Sequence, residues 1–449
     1  MTVVHEPAQD VPVVAEADVV VVGGGPAGLA AAVAAGRAGA RTLLLERYGY
    51  LGGMAAGGMV LLLDDMADRE RRTVAGIGYE MVRRLVSVGG AVEPPEADCF
   101  KQDIELWWRW ARWGFEDFYS RMQPHPTTYA AAFDPEAWKQ VAFAMAREAG
   151  VALRMHSWFS RAIVEDGRVR AAIVQTKAGR QAILGRMFID ASGDGDLYAA
   201  AGAPFVHGRY MLSLVHRLAA VDVERVVQFE RGHPEEARAL NAEVKRIIGG
   251  SWDLWWLRTP REGVIWCNCP HVYGLDGLSV EDLTRLEVEG RERFVRALTW
   301  LRGHMPGFER AYILDASPQA GVRQTRVLEG EYVMTKDDVL HGRRFPDVIG
   351  RGRDYFMPYR ALLPKGVEGM LVAGRCYSAT PEAQRLAREI APCMVMGEAA
   401  GTAAAMALEA GVEPRAVDVP ALQRRLVALG ADLGLGGEAA ASAAGGGTR

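Results

Sequence analysis

Two apolar runs near the amino end, Asp18-Val19-Val20-Val21-Val22 and Arg41-Thr42-Leu43-Leu44-Leu45, flank an alanine-rich stretch that ends at Gly39. The pattern predicts strand, helix, strand. A second helix is marked at Asp134-Pro135-Glu136 by a cap, a first-turn proline and an acid. Alternating β-rich runs then follow: Arg161 to Glu165, the turn Asp166-Gly167, Val169 to Val174, and Ala182 to Leu184 after the turn at Ala178-Gly179-Arg180. Asp-Gly between such runs is a hairpin signal, so this stretch predicts a three-stranded β-meander. It leads into Arg186-Met187-Phe188-Ile189-Asp190, the pattern of a buried strand. Further along, Gly369 to Arg375 predicts another strand. A small-residue helix beginning near Pro392 carries Gly397, Ala400, Gly401 and Ala404 at helical spacing.

The turn between the first strand and helix reads Gly23-Gly24-Gly25-Pro26-Ala27-Gly28, and the second strand closes on Glu46. Each position has a mechanical reason. Gly23 permits the tight turn, Gly25 lets backbone approach a pyrophosphate, and Gly28 lets helix pack on strand. Pro26 suits the first helical position, and the freed amides there favour an anion. Glu46 is placed to accept a hydrogen bond from a ribose. These parts in this order predict a dinucleotide site. Tyr50-Leu51-Gly52-Gly53-Met54 follows directly, and a second glycine-rich passage at this point favours FAD over NAD.

Composition adds boundaries. The 449 residues allow two or three domains, and the net charge of −4 argues against general nucleic-acid binding. No apolar run approaches the ~20 residues of a membrane span. No secretory signal is visible, so a cytoplasmic location is expected. Five cysteines do not make a disulfide framework, and no metal site is expected. Cys267-Asn268-Cys269 lacks a second pair nearby and reads as buried thiols.

The chain resembles the FAD-dependent oxidoreductases of the glutathione-reductase-like, two-dinucleotide-fold flavoprotein superfamily. The residues that carry the resemblance are Gly23 to Gly28 with Glu46, Leu51 to Met54, and Ile189-Asp190-Ala191-Ser192-Gly193-Asp194-Gly195-Asp196. They continue with Gly321-Val322-Arg323, Pro358-Tyr359-Arg360, Leu371 to Cys376, and Pro392-Cys393-Met394 through Gly401. The resemblance implies an α/β fold: a Rossmann-like FAD-binding domain with a parallel sheet and the meander, plus an inserted α+β cap or substrate domain. The FAD domain is expected from 17–60, 134–206 and 354–412, and the cap from 61–133 and 207–353, with flexible termini at 1–16 and 430–449. Implied FAD contacts are Gly23, Gly25, Pro26, Ala27, Gly28, Glu46, Arg47, Gly52, Gly53, Met54, Ala191, Gly193, Asp194, Gly374, Arg375, Pro392, Cys393 and Met394. Arg375 stands where relatives often carry an acid.

Chemistry on the substrate is harder to read. Between 321 and 388 there are 12 Lys/Arg against 8 Asp/Glu, and Arg323, Arg326, Arg360 and Arg388 lie nearest the family motifs. A guanidinium fork suits a carboxylate, so Arg323, Arg360 and Arg388 are expected to orient an anionic substrate. Tyr359, His207, His271 and His341 are candidates for proton transfer, with Tyr359 and His207 preferred. Tryptophans 107, 108, 110 and 113, and again 252, 255, 256 and 266, would suit an aromatic pocket or the core of the cap. No cysteine pair follows Gly53, which excludes the dithiol disulfide reductases, and the Trp-x-Trp-x-Ile-Pro signature of flavin halogenases is absent. The expected activity is hydride transfer between a small organic substrate, anionic or aromatic, and non-covalent FAD reoxidised by O2 or another acceptor. The alternatives are an NAD(P)H-dependent monooxygenase, with NAD(P)H as a transient reductant, and a non-catalytic scaffold. A homo-oligomer is compatible with the sequence.

Overall fold

The computed structural model describes residues 2–115, 125–250 and 255–435, so Trp252 and the tail from 436 lie outside the described residues. The principal sheet is built from β1 (Val13–Val22), β2 (Thr42–Leu45), β3 (Ala152–Arg154), β4 (Trp158–Glu165), β5 (Arg168–Thr176), β6 (Gly179–Asp190) and β7 (Met370–Val372). β3, β2, β1 and β6 are parallel neighbours in that order, with Val19 opposite Thr42 and Val22 opposite Asp190. β6 does two jobs along its far edge. Its first half pairs antiparallel with β5, completing the meander with β4, and its last three residues pair parallel with β7. The sequence divides this strand at Gly185, but the chain stays extended through it, so the meander and the parallel sheet share one continuous strand.

Parts of both expected terminal segments belong to the fold. β1 begins at Val13, where it pairs with Ala182, and Pro12 O accepts the Ala182 N–H at 2.9 Å. Residues 430–435 are packed rather than loose: Leu433 is buried in the core, and Asp432 is 2.8 Å from Arg71.

Helices α1 (Pro26–Arg37), α2 (Gly76–Ser87), α3 (Pro135–Glu148) and α5 (Ile390–Ala410) pack around the sheet, and α4 (Val280–His304) lies in a second layer. α5 begins two residues before Pro392, which becomes its third residue; that position needs no intrahelical N–H. A Cβ at Gly397 or Gly401 would run into the carbonyl oxygens of Ala27 and Ala31, so these glycines let α5 lie directly on the backbone of α1. By length and composition α5 could cross a membrane, yet 94% of its apolar window is buried inside the protein.

The second layer has its own core. It gathers Leu212, Leu214, Trp255, Trp256, Ile265, Phe294 and Phe308 around a four-stranded sheet in the order Trp256–Arg258, Ile265–Cys267, His216–Ala219 and Tyr312–Ala316. Cys267 and Cys269 are buried there as free thiols. The sequence joins 61–133 to this layer. Instead Leu61 to Leu63, the apolar face of α2 and Tyr129 to Phe133 pack into the first core, because α2 docks against α5 and α3; Ala111, with Trp108 packed at the edge and Arg112 over the Trp256 ring, reaches the second.

One carboxyl group ties α2 to α5. Glu398 is 4% exposed and its Oε2 accepts the Ile77 N–H at 3.0 Å, capping α2 from another helix. Burial pushes this carboxyl from the ordinary 4.5 up to about 7, only partly offset by that bond and by Arg37. Because the folded state binds the proton more tightly, stability falls as pH rises from about 4.5 through about 7. Glu398→Gln keeps an acceptor for Ile77 and removes the titration. Its Tm advantage over the parent should therefore widen between pH 5 and pH 8 in thermal melts; a constant gap would show that the carboxyl titrates normally.

Candidate functional site

β2, β1, β6 and β7 run in the same direction, so their carboxyl ends at Leu45, Val22, Asp190 and Val372 open on one side of the sheet. That is where open α/β sheets bind ligands. A cleft of about 1520 Å3, open solvent at its mouth included, runs along those ends and beneath the second layer.

Gly23, Gly25, Pro26 and Ala27 line its floor. Gly23 has φ +104°, and a side chain there would also strike the Ala191 carbonyl. Gly25 caps α1 with no side-chain hydrogen bond, and no acid occupies the first turn, so the helix start faces the cleft with its amides free. Gly28 packs against Gly23 behind the floor. The two glycine-rich passages meet: Gly52 N–H donates to Gly24 O at 2.7 Å, and a Cβ on Gly53 would sit 2.9 Å from Gly25 Cα. Gly53 and Met54 line the cleft, with Gly52 behind them.

At one end Glu46, Arg47, Ser157, Trp158 and Phe159 form the wall. Glu46 oxygens accept the Gly24 N–H at 2.7 Å and the Tyr48 N–H at 2.9 Å, so this acid also locks the glycine turn. Arg47 lies over the Tyr48 and Trp158 rings at 5.0 and 5.4 Å. Trp158, at the head of the meander, carries no motif that sequence reading would single out.

In the middle stand Ala191, Ser192, Gly193, Gly374 and Arg375. Asp194 sits behind them, its Oδ1 accepting from Thr325 Oγ1 and Arg375 Nη2, each at 2.8 Å, with Arg47 4.0 Å from Oδ2. Burial alone would raise this carboxyl; Arg375, Arg47 and Thr325 outweigh it and hold it below the ordinary value. The arginine standing in the family's acidic position is thus neutralised by Asp194.

The far end is built by three separated segments. Leu62 and Asp64 follow the second glycine loop. Ser213, Trp266, Asn268, Gln319 and Arg323 come from the second layer and its return, and Arg388, Glu389, Ile390 and Cys393 from the start of α5. Arg323 Nη2 donates to Asn268 Oδ1 at 3.3 Å and to His271 Nε2 at 3.2 Å. Burial and Arg323 lower His271 to about 3, so its ring is neutral and accepts at Nε2. Burial and Arg388 lower Arg323 to about 10, which leaves it cationic at neutral pH. Cys393 Sγ donates to Arg388 O at 3.3 Å, and burial pushes the thiol up to about 12.

Of the residues expected to act on substrate, Arg323 and Arg388 line the cleft and three others do not. Tyr359 opens a short 3₁₀ turn that points it into the first core, where its hydroxyl donates to Pro414 O at 2.8 Å. Arg360 forms a two-pronged pair with Asp347 at 2.9 and 3.1 Å. His207 Nε2 lies 3.1 Å from Asp276 Oδ1 on an exposed strand. His341 is exposed, bonded to the Asp337 carbonyl. Pro392 and Met394 lie within α5 away from the cleft lining, whereas Cys393 lines it beside Ile390. Among the tryptophans, Trp255 and Trp256 fill the second core, while Trp266 and Trp158 reach the cleft. Sequence reading missed Asp64, Glu389 and Gln319; the paired acids Asp64-Asp65 after the apolar Val60 to Leu63 were the one visible signal.

The lining fits a dinucleotide. Among the described residues, Arg375 Nη1, Arg388 Nε and Trp266 Nε1 are buried donors with no acceptor, and Gln319 Oε1 is a buried acceptor with no donor. Such atoms beside the cleft fit a ligand that would supply the missing partners. Gly25 gives a clean test, since a Cβ there would meet no protein atom nearer than Gly53 Cα at 3.9 Å. Gly25→Val should fold with a near-parental melt yet purify without FAD absorbance; retention of stoichiometric FAD would remove the turn from the site.

No curated protein matches the chain in sequence. Among solved structures it is similar to a geranylgeranyl bacteriochlorophyll reductase-like protein of Thermoplasma acidophilum, at 18% identity and TM-score 0.47 over 92% of this chain and 83% of that one. It is also similar to an anhydrotetracycline hydroxylase of Streptomyces rimosus (16%, TM-score 0.46, 92% and 65%) and to a p-nitrophenol 4-monooxygenase of Pseudomonas putida (16%, TM-score 0.45, 96% and 89%). Likenesses this distant bear on neither reaction nor substrate. Residues 18–357 and 351–426 match the family described as FAD dependent oxidoreductase, and a match over most of its length makes this chain a member of that family.

Proposed function

We propose that this enzyme oxidises or reduces a small polar organic acid held at the far end of the cleft, beneath the second layer. Gly23, Gly25, Pro26, Ala27, Gly53, Met54, Gly193 and Arg375 would hold FAD along the cleft floor, with Glu46 and Arg47 toward its adenosine half. When bound, FAD supplies the capacity to take or give two electrons with a hydrogen.

The observation that carries the substrate class is the Nε–H of Arg388, unsatisfied among the described residues, in a cleft end also lined by Trp266 and Gln319, whose indole N–H and amide oxygen are buried there without a partner among those residues. Two donors and one acceptor suit a molecule with carboxylate oxygens and a hydroxyl or amino group. Arg323, held in place by Asn268 and His271, adds positive charge beside them. In this reading Leu212 to Arg323 form the substrate-binding layer. Binding there would exclude water from the reacting end and strengthen the guanidinium–carboxylate attraction.

Anaerobic mixing of the holoenzyme with a panel of hydroxy, keto and amino acids tests this. At least one acid should bleach the visible absorbance of FAD without NAD(P)H. Arg388→Met should then weaken its binding by about tenfold to a hundredfold, the loss of a charged hydrogen bond, with a smaller effect on the limiting rate. Bleaching by NAD(P)H alone would overturn this reading in favour of a monooxygenase.

A further inference from the structure

The segment after the second glycine loop ends in two adjacent carboxylates with different surroundings. Asp65 has φ +54°, a left-handed conformation that aspartate tolerates but seldom adopts. Its carboxylate is directed to Arg353 at 3.8 Å and to the Tyr355 hydroxyl at 3.5 Å. Asp64, one residue earlier, is half-buried and lines the substrate end of the cleft. Among the described residues it forms no side-chain hydrogen bond or ion pair with another residue. The turn at Asp65 thus separates the two acids: Asp65 faces Arg353 and Tyr355, although burial still raises it to about 7, and Asp64 faces the cleft. Strained backbone beside a functional group is where such conformations cluster.

At the start of α5, Glu389 and Arg388 line the same cleft end, paired with each other at 3.5 Å. Arg323 and the neutral thiol of Cys393 complete the surroundings. Resting on the reading of this end as the substrate site, we propose that Asp64 is the catalytic residue that exchanges a proton with the substrate. In the oxidising direction, an O–H or N–H bond of the substrate breaks and its proton goes to the Asp64 carboxylate. The adjacent C–H bond gives up its hydrogen, with both bonding electrons, to FAD. The substrate thereby loses two electrons and two hydrogens and leaves as a carbonyl or imine. The reducing direction is the reverse, with Asp64 as the acid.

The electrostatics support this role. Burial raises the Asp64 carboxyl well above the ordinary carboxylate value; Glu389 and Asp65 add to the rise, and Arg388 opposes it. A carboxyl raised in this way serves as acid in one direction and base in the other. Oxidation needs the ionised form, so its rate should climb with pH through this raised pKa, and the reverse reaction should decline.

Asp64→Asn in the holoenzyme is the test, after confirming that FAD content and melting temperature match the parent. Bleaching by the substrate acid should slow by about a hundredfold or more and lose its pH dependence. Asp64→Glu should restore a pH-dependent rate. Independently of turnover, the infrared difference spectrum between acid and alkaline pH should show protonated-carboxyl C=O bands, Glu398 and Asp65 among them since both are raised to about 7, and one band should be missing in Asp64→Asn. The proposal is overturned if no band is lost in the variant, or if the variant keeps the parental pH profile. Loss of the band with no acid bleaching the parent would support Asp64 and count against the substrate class alone.

Discussion

Close approach of backbone to backbone is the constraint on which the site depends. α5 rests on α1 because Gly397 and Gly401 present no side chain to the carbonyls of Ala27 and Ala31. The two glycine-rich passages touch because Gly53 presents none to Gly25. These contacts fix where the amino ends of α1 and α5 fall, and both fall at the cleft. A larger residue at Gly397 would lift α5 from its seat and carry Arg388, Glu389 and Cys393 with it. Overpacking of this kind costs about 1–3 kcal/mol, and here the cost would come with a displaced site.

Charge is divided along the cleft in a way that matches two ligands. Toward the adenosine half and the middle, Arg47 and Arg375 share the buried Asp194, which keeps both guanidiniums fixed while limiting their net field. Toward the far end, Arg388 is paired with Glu389 through one side of its fork, and its Nε–H has no acceptor among the described residues. Asp64 lines the same end, within reach of both charges of that pair. An anion alone would meet a carboxyl as well as two arginines, whereas an acid that also carries a hydroxyl or amino group meets complementary partners.

The second layer shapes this end more than it shapes the fold. It is held by its own core, and it lends Ser213, Trp266, Asn268 and Arg323 to a cleft whose floor is the glycine turn and the start of α1. His271 illustrates the coupling. Buried and neutral, it accepts from Arg323 and so holds the guanidinium without competing for its charge.

What the sequence determined alone is the part governed by local rules: the turn at Gly23, the helix start at Pro26, the acid at Glu46, the hairpin at Asp166-Gly167 and the small-residue face of α5. Each needs only neighbours a few residues away, or a helical period, to be read. The substrate end was decided by tertiary structure. Asp64, Gln319 with Arg323, and Glu389 meet from three separate segments of the chain, and no local pattern encodes that meeting. Tyr359 and Arg360 show the converse: family position pointed to the site, but a single 3₁₀ turn directs one into the core and the other to Asp347. Local backbone preferences act over a few residues, whereas a side chain's surroundings are set by what the whole chain packs against it.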